Sequence, residues 1–73
     1  MTLAEARTGE KVRIERIADP EFRLLALRMG IGEGEEVALE EVIPGGPILV
    51  RRQRQRVAVG RSLARRIRVH LVR

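Results

Sequence analysis

Few side chains in this 73-residue sequence could take part in covalent or metal chemistry. The hydroxyls are Thr2, Thr8 and Ser62, the one imidazole is His70, and cysteine is absent. A hydroxyl nucleophile needs a base within hydrogen-bonding reach and a third group to orient that base. Ser62 and His70 fall on different expected elements, and no acidic residue follows Glu41. His70 reads as an exposed residue on the last strand, on the face opposite its apolar neighbours. As a metal ligand it would need two or three companions, and only carboxylates from the distant half could supply them. The expectation is a non-enzymatic chain with no catalytic residue, no cofactor and no metal ligand set.

Two other patterns invite a chemical reading. Gly30-Ile31-Gly32-Glu33-Gly34 has the glycine density of a phosphate-binding loop. Such loops follow a strand and open a helix, whereas this one follows a helical pattern and opens an extended one. Glu33, Glu35 and Glu36 would repel a phosphate as well. The second pattern is charge. Residues 1–41 hold all ten acids and six bases, a net of −4, and residues 42–73 hold nine arginines and no acid, a net of +9. A basic half suits a polyanion, and Arg51, Arg52, Arg54 and Arg56 would be its contacts in a small nucleic-acid-binding barrel. Single-strand binders add aromatic platforms, and the sole aromatic here is Phe22, expected in the core. The competing reading has the arginines solvated on strand faces, offsetting the acidic half within one fold.

The elements that would position these residues follow from periodicity. The length allows one domain, residues 1–73, and a chain this short buries only roughly 60% of its unfolded surface. Leu3 and Ala6 fit a helical turn covering one end of the fold. Lys11 to Ile17 alternates, with Val12 and Ile14 inward, and slips phase at Ile17, which suggests a bulge. Residues 35–43 form a second strand with Val37 and Leu39 on one face and another slip at Glu41-Val42. Pro44-Gly45-Gly46-Pro47 is a turn by composition. Strands are expected at 48–52, 56–59 and, with Ile67, Val69 and Leu71 inward, at the C-terminus. Residues 60–66 form one helical turn before that last strand. Five short strands with bulges point to a small closed or half-closed barrel. No secretion signal and no apolar stretch near the roughly 20 residues that cross a bilayer are expected.

One helix interrupts the strands, over residues 20–29. Asp19 can accept from free amides, and Pro20 suits the first helical position. Gly30 follows the last apolar residue, where a left-handed residue closes a helix, and Ile31 would fold back onto the last turn. Gly32 and Gly34 let the chain turn into the next strand. Phe22, Leu25, Ala26 and Met29 form the expected buried stripe. Leu24 points away from it, with Leu27, Arg23 and Arg28 flanking the stripe. Either the helix is wedged between two surfaces, or Leu24 and Leu27 form an exposed apolar spot for a protein partner.

These motifs resemble one family in three places. Leu27-Arg28-Met29-Gly30-Ile31 with Gly34 and Val37 matches its first signature, and Pro44-Gly45-Gly46-Pro47-Ile48 with Val50 its second. Arg56-Val57-Ala58-Val59, then Ala64, Arg66-Ile67 and Val69, matches its third. Together they are similar to the ferrous iron transport protein A (FeoA) family over nearly the whole chain. Glu33 stands where relatives commonly have proline, and Gly60 where they often have a basic residue. The resemblance implies a mostly β, five-stranded SH3-like barrel with one inserted helix. It also implies an accessory of bacterial ferrous iron uptake, cytoplasmic and peripheral at the inner membrane through its partner. That partner would be the membrane permease FeoB, which carries a GTPase domain. The alternative is a stand-alone relative of the SH3-like domain that closes metal-dependent repressors.

Overall fold

The computed structural model describes residues 1–73. A 3-10 turn at Leu3–Glu5 opens the chain, and the Thr2 amide donates to Glu5 Oε1 at 2.7 Å. Strand β1, Lys11–Arg16, buries Val12 and Ile14 and exposes the residues between them. A bulge between Ile14 and Arg16 then returns Ile17 to the core. Helix α1 spans Pro20–Arg28, and strands β2, β3 and β4 span Glu36–Val42, Ile48–Arg52 and Gln55–Val59. A one-turn helix α2, Arg61–Ala64, leads to strand β5, Arg68–Leu71. No helix is long and apolar enough to cross a membrane.

All five strands join one antiparallel sheet in the order β4-β3-β2-β1-β5. A second bulge, between Leu39 and Glu41, coils β2 so that the sheet wraps around its apolar face. Sixteen buried apolar residues form a single cluster there. Of the two expected forms the structure takes the half-closed one, because β4 and β5 are not paired with each other. Residues 1–3 instead cover the outer edge of β5, with Leu3 N–H donating to Ile67 O and Val69 N–H to Met1 O, both at 2.8 Å. Chain terminus and sheet edge thereby satisfy each other's backbone groups.

Leu71 departs from the expected alternation. Ile67 and Val69 are buried, but Leu71 is 41% exposed. It pairs with Val12, which is fully buried, but β5 is the last strand of the sheet and Leu71 is its final residue, so burial ends at Val12. Two of the connections show how local chemistry sets the turns. The Pro44-Gly45-Gly46-Pro47 turn is held by the Arg61 guanidinium, which donates to Gly46 O and Ile43 O at 2.9 Å each. The β3–β4 hairpin turns through Gln53 at φ 56°, a left-handed conformation that costs a non-glycine residue about 1 kcal/mol. Gln53→Gly is therefore expected to raise stability by about 0.5–1 kcal/mol, read as a higher denaturation midpoint at unchanged slope.

Candidate functional site

Helix α1 is set on the sheet by a small contact. Ala26 is its one fully buried residue, and Phe22 and Met29 pack half-buried against the core. Leu25, expected inside, is 45% exposed. An alanine at the centre of the contact brings the helix backbone close to the sheet. The flank carrying Leu25 then lifts past the edge of a narrow core.

Both ends of α1 are tied down. At the start, the Asp19 carboxylate accepts from the Glu21 amide at 2.9 Å. Arg66, arriving from the α2–β5 corner, lies 5.1 Å from the Phe22 ring centroid and 3.8 Å from Asp19 Oδ2. At the end, Gly30 adopts φ 81° and donates to Leu27 O, while Ile31 N–H donates to Ala26 O at 3.0 Å. This 6→1 and 5→2 pair is the Schellman closure, and it drives Ile31 fully into the core. The Arg52 guanidinium covers Gly30 from outside and donates to Glu35 Oε1 at 2.6 Å.

The outer side of α1 carries a shallow groove of about 320 Å³ lined by Pro20, Arg23, Leu24, Leu27, Gly32 and Glu33. Leu24 is 48% and Leu27 65% exposed. The Glu33 carboxylate forms the opposite wall and accepts from the Ile17 amide at 2.9 Å. Arg23, Leu24 and Leu27 thus share one groove. Arg28 is exposed on the other flank of the helix and does not line it. Gly32 and Glu33 had no signal as groove residues beyond lying just after the helix. Leu25 adds a third exposed leucine, which periodicity placed inside.

Four of the nine arginines in the basic half, Arg51, Arg52, Arg56 and Arg66, are ion-paired. Glu40 accepts from Arg51 at 2.9 Å and from Arg56 at 2.7 Å, and Glu35 takes Arg52. Of the four arginines considered for nucleic acid, Arg54 alone makes no ion pair. The sheet thus brings acids from the first half against bases from the second. His70 Nδ1 lies 3.1 Å from Glu15 Oε2, so an acid does sit beside the imidazole, across the β1–β5 pair. No three His, Asp or Glu side chains converge.

These pairs shift the carboxylates. The hydrogen bond from Arg56, with that from Arg51, holds Glu40 below the usual glutamate range against a smaller opposing desolvation. Arg13 does the same for Glu36, and the Thr2 amide for Glu5. A carboxyl depressed in the folded state is protonated first in the unfolded chain. Its contribution is therefore complete above the ordinary glutamate value and lost as pH falls through the folded one. The melting temperature is expected to decline below about pH 4.3. Glu40→Gln should flatten that decline in a series of melts from pH 7 to pH 2.

Fold and groove together define a class: a small SH3-like β protein presenting an inserted helix. A family model described as the FeoA domain matches residues 1–71. The chain belongs to the FeoA family, whose members are associated with ferrous iron transport. A crystal structure of an iron uptake regulatory protein, FeoA, superposes with a TM-score of 0.89 at 29% identity, covering 99% of this chain and 97% of that one. The FeoA of Stenotrophomonas maltophilia, a prokaryotic SH3 domain protein crystallised with zinc, superposes at 0.78 with 29% identity, over 96% and 89% of the two chains. The metal-dependent transcriptional regulator MtsR shares the fold at 12% identity, with a TM-score of 0.86 over 99% of this chain and 34% of its own. None of the curated proteins matches the chain.

Proposed function

We propose that this chain is a single-domain, non-enzymatic accessory of ferrous iron uptake that docks on the cytoplasmic region of a FeoB-type permease. The docking element is α1 with the glycine elbow behind it. One observation carries the reading: in a FeoA-family chain, a nine-residue helix exposes Leu24, Leu25 and Leu27 together, with Arg23 and Arg28 beside them. Exposed leucines clustered on one small element mark a contact surface, whereas single ones do not. The flanking guanidiniums steer an acidic surface towards it. The protein would sit at the cytoplasmic face of the inner membrane by way of the permease, without inserting.

Leu24→Glu tests this directly. The side chain makes little core contact, so the melting curve is expected to match that of the wild type. Pull-down of the permease's cytoplasmic region should fall by at least about tenfold, as for a central contact residue. Undiminished capture by the folded variant would reject the reading.

A further inference from the structure

The groove on α1 does not end at the elbow. A second depression of about 180 Å³ shares Leu27, Gly32 and Glu33 with it and adds Gly30, Glu35 and Arg52. A third, of about 400 Å³, shares Glu35 and Arg52 with the second and continues over Lys11, Ala38, Arg51 and Gln53 on the outer face of β1, β2 and β3. The three adjoin through these shared residues and lie in series, a track from the helix past Gly32–Glu33 to the sheet. Its chemistry changes along the way, from leucine and proline to paired charges.

Two features of the track lack partners within the chain. Arg23 is the one basic residue lining it that has no carboxylate, since Arg51, Arg52 and Lys11 are paired with Glu40, Glu35 and Glu36. The amides of Gly32 and Glu33 donate to no acceptor of the protein, although Ile31 before them and Gly34 after them both do, and Gly32 is buried. A buried amide is ordinarily paired, so the Gly32 donor, with the exposed Glu33 donor beside it, suits an incoming carbonyl.

We propose that the track receives one extended segment of the permease's cytoplasmic region, which builds on the docking reading above by specifying what docks. The segment would place a large apolar residue between Leu24 and Leu27, with a carboxylate beside it on Arg23. Backbone carbonyls would meet the Gly32 and Glu33 amides, and polar side chains would follow over Ala38. An extended chain follows the bend, whereas a helix is a straight rod about 10 Å thick and would leave the track at the elbow. The protein measures 28 × 27 × 23 Å, so the segment spans at most about eight residues at ~3.4 Å each.

The two readings separate by where substitutions act. Ala38→Tyr fills the far depression with a residue that suits a strand. Gly32→Ala puts a Cβ 3.2 Å from Leu27 Cδ1 and narrows the bend, with no positive φ to strain. Isothermal titration of the permease's cytoplasmic region onto each folded variant should show at least about tenfold weaker binding, as Leu24→Glu does. Lys11→Glu, exposed and in the far depression, replaces Ala38→Tyr should that variant melt early. Wild-type affinity in the Gly32 and far-depression variants, with loss in Leu24→Glu, would overturn the track and leave docking on α1 standing. Wild-type affinity in Leu24→Glu as well, or no binding by the unaltered protein, would overturn both.

Discussion

Ala26→Asp is expected to lower the unfolding free energy by about 3–5 kcal/mol and to release α1 from the sheet. Ala26 is fully buried and is the only α1 residue that is, so a carboxylate there enters an apolar contact without a basic partner. A chain of this length has roughly 4–11 kcal/mol of stability in total, at the usual figure per residue. Much of the population would therefore unfold at physiological temperature. Ala26→Gly is the control: it keeps the contact apolar and should cost about 1 kcal/mol from helix propensity. Urea titrations followed by circular dichroism compare the two. A cost below about 1 kcal/mol for aspartate would mean that water reaches Ala26 and that α1 is not seated as described.

Ile31→Ala should cost about 2–4 kcal/mol. The side chain is fully buried, and its removal combines lost transfer energy with a cavity that a small, two-ended attachment cannot close. The position is more consequential than most core sites because the Ile31 amide also closes α1 on Ala26 O. Beyond global destabilisation, hydrogen exchange at Met29, Gly30 and Ile31 should quicken more than exchange in β1 or β2. Equal acceleration everywhere would show that the closure and the core act as one unit. Ala26 and Ile31 lie in one buried cluster at the end of α1, so their effects should not add in the double variant.

The positions of the elements were legible because their signals are local. Asp19-Pro20 marked the start of α1, Gly30 its end, and alternation placed all five strands within a residue or two of their bounds. The phase slips at Ile17 and Glu41-Val42 correctly announced the two bulges, since a bulge is a change of side-chain phase. Burial was harder. Leu25 and Leu71 obeyed the right period and still ended exposed. A wheel or an alternation gives the direction of a side chain and says nothing of how far the opposing surface extends. In so small a core that extent is the deciding quantity.

Of the candidate site, composition and spacing identified Arg23, Leu24 and Leu27, all of which line the groove, and Arg28, which does not. The opposite wall, Gly32 and Glu33, belongs to a loop whose path is set by where β2 starts.

By itself the sequence determined the kinds of elements, their order, the caps and turns, and the absence of cysteine chemistry. Each of these depends on neighbours a few positions apart. The tertiary structure decided the rest: the open edge of the sheet, the pairing of Glu35 and Glu40 with arginines from the other half, and the groove that α1 forms with Gly32 and Glu33. Those features depend on distances between residues remote in the chain, which sheet register and the tilt of one short helix set. No periodicity records them.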